Sequence, residues 1–297
     1  MSSNVGVLIT SFNQERLLRQ AIDSVLEQTL RPDKLVIVDD GSEDTSRELI
    51  ESYRNKYPRM VEPIYHELNM GVSWTRRDGL NRLDTTYVTY LDGDDLFSRE
   101  KIEKELAAIK SSGSQIVYSD NYYIDQENII LGQWAGQSKV AQGDVFRETF
   151  SRDFPNSSLF RMEMIEYSAW SQIGFHDPNL EIYEDYDMRI RLTKRLKTSY
   201  IDKPLSSVRI NTDGLSKKPP IEHVMALHYI YKKNRHLLED LERRDAKYCR
   251  KNFSELVLNF ISRAIAQARD ERAIDDYLSM LIKRFQYTGT YLWNEML

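Results

Sequence analysis

Leu35-Val36-Ile37-Val38-Asp39-Asp40-Gly41-Ser42 runs four apolar residues straight into two carboxylates and a turn. A strand with one wet face alternates apolar and polar residues. An unbroken apolar run marks a strand covered on both faces, as the strands of parallel sheets are. The same texture recurs outward from this stretch at Val5–Thr10, Tyr87–Leu91 and Ile116–Tyr118, with Val61–His66 as a further strand. Between these runs lie segments with helical spacing: Arg16–Glu27, Thr45–Lys56, Val72–Leu83 and Lys101–Lys110. Short buried strands alternating with amphipathic helices are βαβ units. The pattern predicts an α/β fold, a mostly parallel central sheet with helices on both faces. Ligands of such sheets sit beyond the carboxyl ends of the strands, so the residues that end each run carry the functional weight.

From about Asn121 to Ile210 the pattern is less regular, with aromatic-rich strands, a polar stretch at Leu131–Gly143 and a helix from about Glu184 to Arg195. After Pro219-Pro220, the segments Glu222–Leu241, Asp245–Ala266 and Glu271–Phe285 carry apolar residues three and four apart and read as helices. The expected organisation is an α/β domain over residues 1–218 followed by a helical region over 219–297.

Composition narrows the function. Of 297 residues 41% are hydrophobic and 29% charged, enough for a sizeable core. Lys and Arg total 41 against 46 Asp and Glu, a net charge of -5, which lacks the basic excess of a nucleic-acid binder. A single cysteine, Cys249, permits no intramolecular disulfide and no cysteine-based zinc site. No run reaches the roughly 18 to 20 apolar residues of a spanning helix. Val5–Ile9 is too short for a signal core and has no basic lead. A cytoplasmic protein is expected, soluble or peripheral at the inner face of the membrane. In the helical region, Lys232-Lys233-Asn234-Arg235 and Arg243 to Lys251 are basic with interleaved Tyr and Phe, but Glu239, Asp240, Glu242 and Asp245 dilute the charge. A solvated face explains them, with anionic-lipid contact and oligomerisation as the alternative uses.

Three runs end in small polar or acidic residues: Thr10-Ser11-Phe12-Asn13, Asp39-Asp40-Gly41-Ser42 and Asp92-Gly93-Asp94-Asp95. Three carboxylates within four residues repel one another unless a cation or an array of donors offsets them. Mg²⁺ and Mn²⁺ favour oxygen ligands and share a few carboxylates with substrate phosphates. Asp-Gly turns and a helix cap by Asp95 account for any one cluster equally well.

The combination is more specific. With Asn69-Met70-Gly71 followed by Arg76, then Gly174-Phe175 and Glu184-Asp185-Tyr186-Asp187, the ordered set resembles the inverting family 2 glycosyltransferases, which have the A-type nucleotide-sugar-binding fold (GT-A, Rossmann-like). The resemblance spans about residues 5 to 216. It implies that Thr10 and Phe12 line the nucleotide base, that Asp40 accepts from a uracil imide N–H, that Asp39 supports that loop or the ribose, and that Arg76 faces the nucleotide. It implies that Asp92 and Asp94 hold ribose and metal-bound diphosphate, with Asp95 either a ligand or a cap and Mn²⁺ or Mg²⁺ as the cofactor. Asp185 then matches the base that takes the acceptor's proton, with Glu184 binding the acceptor or orienting the loop. Arg191 balances these acids, approaches the diphosphate or forms a surface ion pair. The implied partners are a nucleotide-sugar donor, a UDP-sugar above others, and a glycan, lipid-linked or protein-linked acceptor.

Three departures stand out. The family's Arg-x-His near the end of the domain reads Arg209-Ile210-Asn211, so Asn211 takes the place of a usual metal or phosphate ligand. Its Ala-Arg-Asn reads Thr75-Arg76-Arg77, and its Gly-Phe-Asp reads Gly174-Phe175-His176. A sugar-phosphate nucleotidyltransferase needs a Gly-rich basic loop after the first strand, which Ser11-Phe12-Asn13-Gln14-Glu15 is not. A degenerate, binding-only domain is opposed by the retained Asp40, Asp92, Asp94 and Asp185. Trp134 and Trp170 read either as sugar-stacking faces or as core.

Overall fold

The structure, a computed structural model, describes residues 4–211 and 217–270. The Asp213–Ser216 stretch and the expected helix Glu271–Phe285 lie outside the described residues. The chain divides into two compact units, residues 1–149 with 153–212, and 150–152 with 213–297.

The first unit is built on a nine-stranded sheet. The strands are β1 (Val5–Ser11), β2 (Lys34–Asp39), β3 (Val61–Tyr65), β4 (Tyr87–Asp92), β5 (Leu96–Phe97), β6 (Ile116–Ile124), β7 (Ile130–Gln133), β8 (Met164–Glu166) and β9 (Thr198–Arg209). Their order is β3-β2-β1-β4-β8-β6-β9-β5, with β7 on β6. The βαβ half, β3-β2-β1-β4, is wholly parallel. Beyond it β8 runs antiparallel to both β4 and β6, and β9 runs parallel to β6.

Helices α1 (Glu15–Leu26), α2 (Ser46–Lys56), α3 (Val72–Asn81), α4 (Lys101–Ser112), α5 (Phe146–Ser151), α6 (Tyr167–Ile173) and α7 (Glu184–Thr193) connect the strands. Period-2 alternation divides β1 between two cores. Val5, Val7 and Ile9 join Leu18, Ile22 and Val25 of α1 and Leu49 and Ile50 of α2. On the opposite face Gly79 of α3 lies so close to Leu8 and Val38 that a Cβ there would meet Leu8 at 2.2 Å. Both faces are therefore covered, as the unbroken apolar runs require.

The irregular texture after Asn121 has a physical cause. β6 and β9 pair over most of their length, but the register shifts at Ser119–Asn121, and the buried Asp120 accepts the Asn121 and Ala135 N–H groups at 2.8 and 2.9 Å. The bulges and the interior acid hide the strand period. Trp134 and Trp170 are fully buried, so both belong to the core rather than to a sugar-stacking face. Trp134 packs beside Phe154 and donates its Nε1–H to the Ser158 carbonyl at 2.9 Å.

In the second unit α8 (Pro220–Asn234) and α9 (Arg243–Asp270) pack through Tyr231 on Phe253 and His223 stacked on Phe260 at 4.4 Å. The expected Glu222–Leu241 helix stops at Asn234 and tightens into a 3-10 turn, Arg235–Leu238. Among the described residues no helix is long and apolar enough to cross a membrane.

Candidate active site

The parallel registers set the site. Thr10 pairs with Asp92 and Ser11 with Asp39, so the ends of β1, β2 and β4 lie side by side. Thr10 Oγ1 donates to Asp92 Oδ1 at 3.2 Å. Asp39, fully buried, accepts the Ser42 N–H and the Arg47 Nε–H through Oδ2, both at 3.1 Å. Its Oδ1 and the Ser11 Oγ are buried without a hydrogen-bond partner. Phe12 stands 42% exposed beside these strand ends.

Asp40 organises the loop opposite. Its carboxylate accepts the Met70 and Gly71 N–H groups at 2.8 and 2.9 Å and meets His66 Nδ1 at 2.6 Å. A carboxylate has about four acceptor positions, so one remains for a ligand N–H. Gly41 permits this fold-back. Its φ is +76°, and a Cβ would sit 2.7 Å from the Leu68 backbone.

Arg76, buried, joins two elements. It donates to both oxygens of Asp92 at 2.7 and 3.0 Å and to Glu184 Oε1 at 2.5 Å, and it lies over the Tyr90 ring. The strand-end acid of β4 is thus tied to the first residue of α7. Burial pushes the Asp92 carboxyl up, but the Arg76 guanidinium outweighs it and holds Asp92 below the usual range. For Glu184 burial wins over Arg76, and the neighbouring Asp185 adds to it, so its carboxyl is pushed up to about 7.

Asp185 differs from its neighbour. Its Oδ2 accepts from Arg189 Nη1 at 2.5 Å, and its side chain is 31% exposed against 8% for Glu184. Burial raises its carboxyl, but Arg189, Arg161 and Arg76 override that and keep it ionised well below neutrality. Arg189 is held from behind by both oxygens of the buried Glu163, at 2.9 and 3.0 Å, and by Tyr90 Oη at 2.5 Å. Glu163, Arg189 and Tyr90 form a buried frame under Asp185.

The remaining acids face the end of β9. Asp94 accepts from the Asn211 amide, and Asn211 Oδ1 in turn accepts from Gln126 Nε2 at 2.7 Å. Burial, then the charge of Asp92, push the Asp94 carboxyl up. Asp95 is nearly inaccessible and accepts the Arg209 N–H at 2.7 Å. It caps no helix, because α4 begins only at Lys101 and the N-cap is Glu100. Asn211 Oδ1 carries the one bond from Gln126 and keeps its second lone pair. Among the described residues no group of three or more His, Cys, Asp or Glu side chains is arranged to hold a metal. Mg²⁺ and Mn²⁺ need no such cage, because one or two carboxylates plus phosphate and water suffice. Asp94, destabilised by its neighbour's charge, suits a hard cation, and Asp92 lies beside it.

Of the sequence-derived residues, Thr10, Arg76, Asp92, Glu184 and Asp185 are linked by these contacts, and Asp39, Asp40, Asp94 and Asp95 end the adjoining strands. Arg191 stands apart. Its guanidinium donates to Asp187 Oδ2 and to the Ile173, Gly174 and Phe175 carbonyls, all between 2.7 and 3.2 Å. It pins the loop before α7 with four of its five N–H groups. Sequence reasoning missed Glu163, Arg189, His66 and Arg161. An acid and a base 26 positions apart carry no local signal.

The family model for glycosyl transferase family 2 matches residues 6–167, more than half of the chain. The chain belongs to this family. It is 33% identical to a putative teichuronic acid biosynthesis glycosyltransferase, TuaG, of Bacillus subtilis, over 71% of this chain and 81% of that protein. Its fold is similar to that of S. aureus TarS residues 1–349 in complex with UDP-GlcNAc, with TM-score 0.67, 17% identity, and coverage of 90% of this chain and 73% of that one. It is also similar to the mannosyltransferase PcManGT of Pyrobaculum calidifontis in complex with GDP-Man and Mn²⁺, with TM-score 0.59, 13% identity, and coverage of 99% and 83%. The family 2 chain spans about a third of the length of several other curated relatives it matches.

Proposed function

We propose that this family 2 enzyme transfers a sugar, with inversion, from a UDP-sugar to a hydroxyl of a surface glycan or related glycoconjugate. The observation that carries the reading is the contrast within Glu184-Asp185. Glu184 is closed into an ion pair with Arg76, while Asp185 is ionised and accessible on one edge. An acceptor hydroxyl gives its proton to Asp185 as its oxygen bonds to the anomeric carbon. The bond from that carbon to the β-phosphate oxygen breaks, and its electron pair leaves with UDP. Arg189 fixes the Asp185 side chain, and the Glu163 charge offsets Arg189. Phe12 stacks on the base, and the last acceptor position on Asp40 takes the uracil imide N–H, which cytosine lacks. Asp94, with Asp92 beside it, would hold Mn²⁺ or Mg²⁺, and the ion neutralises charge on the departing diphosphate when bound. The UDP-GlcNAc bound by TarS and the teichuronic acid biosynthesis in the name of TuaG support the choice of donor and of acceptor class. Screening UDP-, GDP- and other nucleotide-sugars for hydrolysis with Mn²⁺ tests the reading. Turnover confined to UDP-sugars supports it, and turnover of GDP-sugars alone overturns the choice of donor.

A further inference from the structure

Among the described residues four arginines stand by Asp92, Asp94, Asp95 and Asp185, and three of them already hold partners. Arg76 is bonded to Asp92 and Glu184. Arg189 is bonded to Glu163, Asp185 and Tyr90. Arg209 donates to the Asp94 and Asp125 carbonyls and to Asn128 Oδ1. Arg161 alone is exposed, and it forms no hydrogen bond or ion pair with any described residue.

Its position is fixed by pairing. β4 and β8 run antiparallel with Tyr87 opposite Glu166 and Val88 opposite Ile165. Continued, that register puts Tyr90 level with Glu163, and Tyr90 Oη does bond Glu163 Oε2, at 3.0 Å. Two pairs further along, the same register extended past the end of β8 would bring Arg161 level with Asp92. The backbone is clamped there. The Met162 carbonyl accepts from Lys101 Nζ at 2.7 Å and Thr89 Oγ1 at 3.0 Å, and Met162 has φ +55°. Phe160 and Met162 are buried on either side, so Arg161 is held outward at the mouth of the acid cluster. Its charge favours the ionised forms of Asp92, Asp95 and Asp185 alike.

A nucleoside diphosphate arriving at these strand ends meets Asp92, Asp94 and Asp95, all of its own sign. It needs donors that are not already bonded. We propose that Arg161 is a direct ligand of the donor's diphosphate, gripping its non-bridging oxygens on the side of β8. This rests on the nucleotide-sugar reading above. The guanidinium forms charge-assisted, two-pronged bonds to phosphate, which a lysine replaces only as a point charge.

The test uses the full chain with Mn²⁺ and compares binding of UDP and uridine by calorimetry in wild type, Arg161→Gln and Arg161→Lys. Charge-assisted hydrogen bonds are worth about tenfold to a hundredfold in affinity. UDP affinity should fall by that factor in the Gln variant, recover in part in the Lys variant, and leave uridine binding unchanged. Uridine binding also reports that the variants are folded. Equal losses for UDP and uridine, or no loss for either, overturn the proposal. So does intact UDP affinity with a raised KM for a phosphate-bearing acceptor, which would assign Arg161 to the acceptor. A wild type that binds no UDP but binds another nucleoside diphosphate overturns the choice of UDP alone, and the comparison is then made with that diphosphate and its nucleoside. A wild type that binds none removes the nucleotide-sugar reading and this proposal with it.

Discussion

Replacing Asp185 by Asn separates its chemistry from its structural contact. Asn keeps an oxygen to accept the Arg189 Nη1–H bond that now spans 2.5 Å, but it cannot take a proton. The structural cost is small. Arg189 retains both oxygens of Glu163 and the Tyr90 hydroxyl, and the Asp185 side chain is 31% exposed, so about 1 kcal/mol or less of stability is lost. The catalytic cost is larger. Loss of a general base removes about 10²- to 10⁴-fold in rate, which at 1.36 kcal/mol per decade is roughly 3 to 5 kcal/mol of barrier. Initial rates of sugar transfer with saturating donor should fall by that factor. UDP affinity by calorimetry should change by less than about threefold, and the melting temperature should drop by no more than a few degrees. If Asp185 only favours the start of α7 through the helix dipole, transfer survives the change. An Asn variant with near wild-type turnover refutes the reasoning and moves the base to Glu184.

Three further outcomes follow from the geometry. Asp94→Ala, or a chelator added to wild type, should weaken UDP binding by tenfold or more in calorimetry while uridine binding holds; equal UDP affinity with and without chelator removes the metal from this site. Glu184 is pushed from the ordinary 4.5 up to about 7, so the folded chain holds this proton more tightly than the unfolded one. Its contribution to stability is present below about pH 4.5 and is lost as pH rises to about 7; melting temperatures of wild type should therefore fall across that window relative to Glu184→Gln, and parallel curves contradict the assignment. Gly41→Ala should cost about 1 to 3 kcal/mol in urea unfolding and weaken UDP binding, because a Cβ at φ +76° meets the Leu68 backbone at 2.7 Å and displaces the loop Asp40 holds; an unchanged midpoint and affinity would show that the loop yields freely.

The parallel half of the sheet was legible because its signal is local. Val5–Thr10 and Leu35–Val38 are apolar without interruption, and polar residues end them abruptly, so both the strands and the place to look for a site follow from the sequence. Helices α1 to α4 agree with the expected bounds to within one or two residues, as with Lys101, and their caps carry little side-chain information, whereas the expected Glu222–Leu241 helix ends seven residues early. The antiparallel part was not legible. β8 has three residues and β5 two, below the length at which periodicity can be read, and Asp120 interrupts β6 with a buried charge. The site divides in the same way. Strand-end residues such as Asp92 could be found by their position. Glu163 and Arg161, brought in by β8, depend on a pairing across some 70 residues that no spacing announces.

That short strand also governs how the sequence can drift. One residue deleted between Arg161 and Glu166 would shift the chain by one position against β4. Met162 or Met164 would then stand where Glu163 meets Tyr90 and Arg189, leaving a buried guanidinium half compensated, and Arg161 would move off its level with Asp92. Insertions in the exposed turn 126–129 that joins β6 to β7 fall between the strand pairs rather than within them. Length variation among descendants of this chain should therefore collect at the hairpin, where new acceptors can be accommodated, while the six residues from Arg161 to Glu166 keep their count even where their apolar members are exchanged.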